Sequence, residues 1–424
     1  MTASDLSDRP LALLLSDLRD AVRRFDIMAA LELEEQVLQR LNRQATESSA
    51  IEEHVQALMT QMRGQLGPLS ELERALEDLK EGGGGGSGGL RCPLPQHAPS
   101  AVVPVWYATN RTPEDGGYGN GRSVATSYGR ALVYVPEAHR FGETGSSFWQ
   151  RFKRFDWRDD RLRLQAVEPR EQERFFSEIR AEMDMARQDG DTTHALVFIH
   201  GFNVSFEEAA IRAAQLGLDL KVSGATAFFS WPSRGTISAY TADEATIEAS
   251  EGAISRFLID FSAQCGAKQV HLIAHSMGNR GLLRALQRIA ADAQAHSALR
   301  FGQIFLAAPD VDRDLFLDLA RLYPQFAQRT TLYASSADRA VHLSARMHDA
   351  PRAGYFSPYT VASGVDTVAV PNFDLDWIGH GYYAEAEALL HDIFDLMQRD
   401  APPSSRQRLI TAEADGLHFW RFNR

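Results

Sequence analysis

The sequence predicts an α/β protein: a mostly parallel sheet with helices on both faces, joined by a glycine tether to a separate N-terminal α-helical module. Three observations carry this expectation. From residue 161 onward, short β-branched and aliphatic runs alternate with segments of helical periodicity, each strand followed by a helix, as parallel crossovers require. The strand runs are apolar throughout, the pattern of strands buried on both faces. Before them, the run Gly82 to Gly89 cuts off a region whose apolar residues recur only at helical intervals.

Residues 1–81 carry those intervals: Leu11, Leu14, Leu15, Leu18, Val22 and Phe25, then Val37, Leu38 and Leu41, then Ile51, Val55, Leu58, Met59 and Met62, and finally Leu72, Leu76 and Leu79. Breaks near Asp26, Ser48 and Gly67-Pro68 divide them into three or four amphipathic helices. A small bundle, an intermolecular coiled coil and a hairpin packed on its own neighbouring domain all fit. About 70 residues bury an apolar stripe only marginally on their own, so association with a second copy or with a protein partner is the expected role. Residues 82–96 form a flexible linker spanning roughly 16 Å, although so regular a run also suits an artificial joint.

Residues 97–424 form the second domain. It opens with strands Ala101 to Tyr107 and Tyr128 to Val135, parted by the turn-rich Pro113 to Gly121. Strand 161–167, helix 171–187, strand 195–199, helix 206–218, strand 225–230, helix 242–261 and strand 269–274 follow in order. Helix 281–291, strand 303–307, helix 312–322, strand 330–334 and helix 383–397 continue the alternation, and residues 408–422 alternate around Asp415-Gly416 like a hairpin.

Composition excludes several classes. A formal charge of −12 argues against a broad phosphate-binding surface, so nucleic acid is not an expected partner. Cys92 and Cys265 are too few for a disulfide framework and have no ligand-like spacing with the histidines, so no metal is expected. Met1 to Pro10 lacks the basic-then-apolar pattern of a secretion signal, and no apolar run approaches the ~20 residues of a membrane span. The expected location is the cytoplasm.

The chemistry centres on Ala274-His275-Ser276-Met277-Gly278. An aliphatic strand stops at Ala274 and a helix-forming run begins at Gly281, which leaves Ser276 on a sharp strand-to-helix corner. Residues two before and two after such a serine must be small, because side chains there collide; Ala274 and Gly278 meet the need. A serine hydroxyl also needs a base, an acid that orients the base, and donors for the oxyanion it creates. His380, flanked by Gly379 and Gly381 before the last long helix, is the candidate base. Asp338, at the carboxyl end of strand 330–334, is the favoured acid. Asp310 is its rival, with a bland alternative role, shared with Asp312, as a helix cap. The oxyanion donors are the backbone N–H groups of Met277 and, after strand 195–199, of Phe202, where Gly201 permits close approach. His200, Asn203, Trp231, Tyr240, His275 and Tyr382 are pocket candidates; core packing and loop rigidity explain Trp231 and Tyr240 equally well.

With those residues in view, Val103 to Met397 resembles the α/β-hydrolase superfamily, and within it the bacterial esterase/lipase-like hydrolases designated DUF900. The resemblance rests on Val105-Trp106-Tyr107-Ala108-Thr109-Asn110-Arg111, Val197-Phe198-Ile199-His200-Gly201-Phe202-Asn203, Phe229-Ser230-Trp231-Pro232-Ser233, the Ser276 pentad, and Gly379-His380-Gly381-Tyr382-Tyr383. It implies the α/β-hydrolase fold, a Ser276, Asp338 and His380 triad acting on small-molecule or lipid carboxylic esters, and no cofactor. An acyltransferase or amidase would use the same triad. A scaffold whose N-terminal helices are the working part is the rival from another class.

Overall fold

The computed structural model describes residues 101–136, 162–188, 193–234, 239–335, 341, 344–345, 348–370 and 383–423, all within the unit Leu94–Arg424. The expected N-terminal helical module, the glycine linker, Asp338, His380 and Tyr382 lie outside the described residues.

Eleven strands form one sheet in the order β10-β11-β9-β8-β7-β6-β4-β5-β1-β2-β3. Its centre is parallel: β4 (His194–Ile199) lies between β5 (Thr226–Ser230) and β6 (Gln269–His275), and β7 (Phe301–Ala307), β8 (Ala327–Ala334) and β9 (Asp366–Ala369) extend it on the β6 side. One edge is antiparallel, built from β1 (Ala101–Glu114), β2 (Gly117–Val135) and β3 (Arg163–Arg170). The opposite edge is the hairpin of β10 (Leu409–Ala414) and β11 (Leu417–Phe422), with β11 parallel to β9.

Period-two side-chain alternation divides the core into two layers. On one face, Ala195, Val197 and Ile199 of β4 join Phe175, Phe176 and Ile179 of α1 (Gln172–Gln188), Phe257 and Phe261 of α4 (Glu251–Gln264), and Leu282 and Leu286 of α5 (Gly278–Ala290). On the other, Leu196 and Phe198 pack with Phe206, Ala210 and Ala213 of α2 (Phe206–Asp219) and with Leu389, Ile393 and Leu396 of α9 (Tyr383–Arg399). The apolar strands of the sequence are thus covered on both sides, as their composition requires.

Several boundaries differ from the sequence expectation for identifiable reasons. The first hairpin is longer than predicted: β1 and β2 run through the turn-rich segment and turn only at Asp115-Gly116, and the register shifts on both sides of Arg111. Helix 242–261 is two helices, α3 (Tyr240–Ala249) and α4, parted at Ser250, whose Oγ accepts the Asn110 side-chain N–H at 2.9 Å. β9 has no counterpart among the strands the sequence predicts. Beyond α6 (Ala293–Ala298), helix 312–322 is α7 (Arg313–Leu319) followed by a 3-10 turn and the four-residue α8 (Tyr323–Phe326). No described helix is long and apolar enough to cross a membrane.

Candidate active site

Ser276 stands between β6 and α5 with φ +48°, in the left-handed region that costs an L-residue roughly 1–3 kcal/mol. Three contacts hold it there. Its N–H donates to Ala307 O at 2.9 Å, its carbonyl accepts the Asp310 N–H at 3.1 Å, and the Asn279 side-chain amide donates to the carbonyls of Ala274, Ser276 and Ala307 at 3.0, 3.1 and 3.2 Å. A buried asparagine therefore staples the end of β6 to the end of β7 across the corner. A β-carbon on Gly278 would lie 2.5 Å from His200 O and 2.7 Å from Ile199 O, so glycine is required by contact.

The loop after β4 meets this corner. Gly201 packs on His275 and Ser276, while Asn203 turns the chain with φ +58° before Ser205 caps α2 in a reciprocal box with Glu208. Phe202 is half-buried against the ring of Tyr240, at 5.1 Å between centroids. The N–H groups of Phe202 and Met277 have no acceptor among the described residues.

Beneath the loop lies a network the sequence reading did not find. His200 is buried, with Nδ1 2.8 Å from Gly201 O and Nε2 3.2 Å from Ser230 Oγ. The Gly201 carbonyl can only accept, so Nδ1 carries the proton. Burial, reinforced by the nearby Arg111 charge, lowers the His200 pKa to about 3, and the ring is neutral. Trp231 is fully buried, stacks on His200 at 5.1 Å, and donates its Nε1–H to His200 O at 2.8 Å. Arg111, also without exposure, donates to Ser230 Oγ at 2.8 Å, Val204 O at 2.7 Å and Ser233 O at 3.1 Å. Ser233 Oγ donates to Asp243 at 2.6 Å. A buried arginine has no periodicity to betray it; only its place in the Val105 to Arg111 run is legible in the sequence.

Among the pocket candidates, His200 and His275 line a small cavity between the ends of β4 and β6 and the side of α2. Tyr240 and Trp231 are not among its lining residues. Tyr240 instead donates to Asp310 at 2.5 Å and lies 2.8 Å from Ser344 Oγ, and Ser344 donates to the other Asp310 oxygen at 2.5 Å. The Arg352 guanidinium stands 3.5 Å from the same carboxylate. This corrects the capping role considered for Asp310: α7 is capped by Asp312, whose carboxylate accepts the N–H groups of Asp314 and Leu315. Asp310, buried at the end of β7, anchors Tyr240 and Ser344 instead.

No group of three or more His, Cys, Asp or Glu side chains suited to a metal ion occurs among the described residues.

A family described as alpha/beta hydrolase of unknown function, DUF900, matches residues 177–398, just over half of the 424-residue chain. No curated protein matches. Similar solved structures include an uncharacterized protein from Bacillus cereus ATCC 10987, with 13% identity over 50% of this chain and 61% of that one and a TM-score of 0.33. This chain thus spans less than two thirds of that protein. A predicted CIB-like hydrolase from Thermoplasma acidophilum has 16% identity over 49% of this chain and 87% of its own, with a TM-score of 0.29. The butyrate-bound esterase Est2 of Thermogutta terrifontis has 14% identity over 50% and 86%, with a TM-score of 0.28.

Proposed function

The chain belongs to the alpha/beta hydrolase family DUF900, and from that premise we propose that it is a serine hydrolase cleaving carboxylic esters through an acyl-enzyme on Ser276. The observation that carries the reading is the left-handed Ser276 corner pressed against Gly201, beside the N–H groups of Phe202 and Met277, which have no acceptor among the described residues. A serine held in that strained conformation has its Oγ pushed off the sheet, where a substrate carbonyl can reach it.

Ser276 Oγ attacks the carbonyl carbon while His380 takes its proton, and the carbonyl oxygen becomes an oxyanion held by the N–H groups of Phe202 and Met277. The tetrahedral species collapses with His380 returning the proton to the leaving alcohol. Water then repeats the sequence on the acyl-enzyme, releasing the acid and restoring Ser276. Asp338 orients the imidazole and stabilises its charged form. Chain positions favour these roles: Asp338 follows the end of β8 by four residues, and His380 lies between β9 and α9. Both strands run parallel to β6, so their carboxyl ends share an edge with Ser276. Asp310 fits the acid role less well, because each of its oxygens already accepts a short hydrogen bond.

The reading takes the enzyme to work in the cytoplasm on a small-molecule or lipid ester without a cofactor, its N-terminal helices serving association. Labelling with a fluorophosphonate, followed by peptide mapping and a panel of ester chain lengths, tests it. Label on Ser276 and turnover of at least one ester are expected; label elsewhere, or none, overturns it.

A further inference from the structure

We propose that Arg111 acts through Ser230 and His200 as a positioning group that polarises and fixes the Gly201–Phe202 peptide, sharpening its N–H as a donor to the oxyanion. The proposal rests on the oxyanion role given to Phe202 above.

The direction of every hydrogen bond in the chain is determined. The Gly201 carbonyl accepts from His200 Nδ1–H at 2.8 Å, which leaves Nε2 of the neutral ring with a lone pair. That lone pair takes the Ser230 hydroxyl proton at 3.2 Å, and Ser230 Oγ takes the Arg111 Nε–H at 2.8 Å. All three donors point from the guanidinium toward the Gly201 carbonyl. That carbonyl and the Phe202 N–H are the two ends of one peptide group. A hydrogen bond at the oxygen draws electron density from the nitrogen and makes the N–H a better donor, and aligned bonds strengthen one another by roughly 10–30% each.

Further features suit the task. No carboxylate among the described residues lies within ion-pair distance of Arg111; Asp243 is reached only through Ser233, so the positive field is not cancelled at contact. The imidazole cannot swing away, because Trp231 stacks on it within 12° of parallel and holds the His200 carbonyl. The other Arg111 N–H groups donate to Val204 O, on the far side of the same loop, and to Ser233 O, Gly119 O and Asn120 Oδ1 in neighbouring segments.

Arg111 itself is too deeply built in to replace cleanly, so the test cuts the chain further on. Ser230→Ala removes the link to Arg111. His200→Asn keeps a donor near the Nδ1 position without the link, and His200→Leu removes both. Removing a whole oxyanion donor costs about 10²–10³ in kcat, so a strengthening of roughly 10–30% corresponds to about a two- to eightfold loss for Ser230→Ala. His200→Leu should lose more, and His200→Asn should recover part of that difference. In all three, KM for a short-chain p-nitrophenyl ester stays near the wild-type value. Affinity for a short-chain trifluoromethyl ketone, which forms a tetrahedral adduct, falls in step with kcat/KM. Unchanged kcat in Ser230→Ala, equal losses in the two His200 variants, or losses confined to KM or to thermal stability overturn the relay. Ser276→Ala is run alongside: full turnover there means that the serine reading itself fails, a result separable from failure of the relay.

Discussion

Gly201 and Ser276 touch so closely that a β-carbon on Gly201 would stand 3.0 Å from the serine Cβ and 3.0 Å from Nδ1 of His275. The end of β4 and the corner after β6 therefore define each other. Gly201→Ala forces a shift of a few tenths of an ångström at the oxyanion loop, and misplacement on that scale should cost about tenfold in kcat with little change in melting temperature. Gly278→Ala meets backbone carbonyls at 2.5 and 2.7 Å that cannot step aside, so it should cost folding stability as well. Ester kinetics paired with thermal melts distinguish the two; similar phenotypes would mean that the loop is softer than this packing implies.

How much of this was legible in the sequence depended on steric necessity. The corner at Ser276 could be read because small residues must flank it, and the Asp415-Gly416 hairpin because both residues adopt positive φ, +53° and +72°. β9 could not be read: Asp366–Ala369 is only four residues and earns its place by pairing with β8 and β11. The break at Ser250 depends on Asn110, 140 positions away in the chain, and the Arg111 network likewise depends on partners from distant segments. Asp310 and Asp312 look alike in sequence, and only the register of α7 shows which of them caps it.

The strain at Ser276 yields a stability prediction that separates function from folding. Ser276→Ala and Ser276→Gly should both abolish fluorophosphonate labelling. Glycine adopts φ +48° without a Cβ penalty, so Ser276→Gly should be more stable than Ser276→Ala by about 1 kcal/mol in urea unfolding. An alanine variant as stable as the glycine one would remove the argument that the corner stores strain.

The choice of acid is testable by exchange of phenotypes. Asp338→Asn should lower kcat by about four orders of magnitude, as loss of the orienting carboxylate does in such triads, with stability near wild type. Asp310→Asn replaces an oxygen that accepts from Tyr240 or Ser344 with an N–H₂ group that cannot accept. It should cost about 1–3 kcal/mol of stability and far less in rate. If the rate loss follows Asp310 instead, Asp310 is the acid.

A last prediction comes from the opposite end of the sheet, where His194 of β4 and His271 of β6 lie stacked with Nδ1 and Nε2 2.9 Å apart. His271 Nδ1 accepts the Gln303 N–H at 3.1 Å, so its proton sits on Nε2 and is donated to His194. Burial first, then the neighbouring His194, lowers the His271 pKa to about 3. In the unfolded chain the same group titrates near ~6.5. Between those values the unfolded state binds a proton that the folded state refuses, so the stability contributed by the neutral ring is present above pH ~6.5 and is lost as the pH falls toward 3. The limiting slope is about 1.4 kcal/mol per pH unit for this one group. His271→Asn retains an acceptor for the Gln303 N–H and cannot titrate, so its unfolding free energy should fall less steeply than wild type between pH 6 and 4. Urea melts of the two proteins across that range measure the difference. Parallel curves would show that His271 already takes up its proton in the folded state.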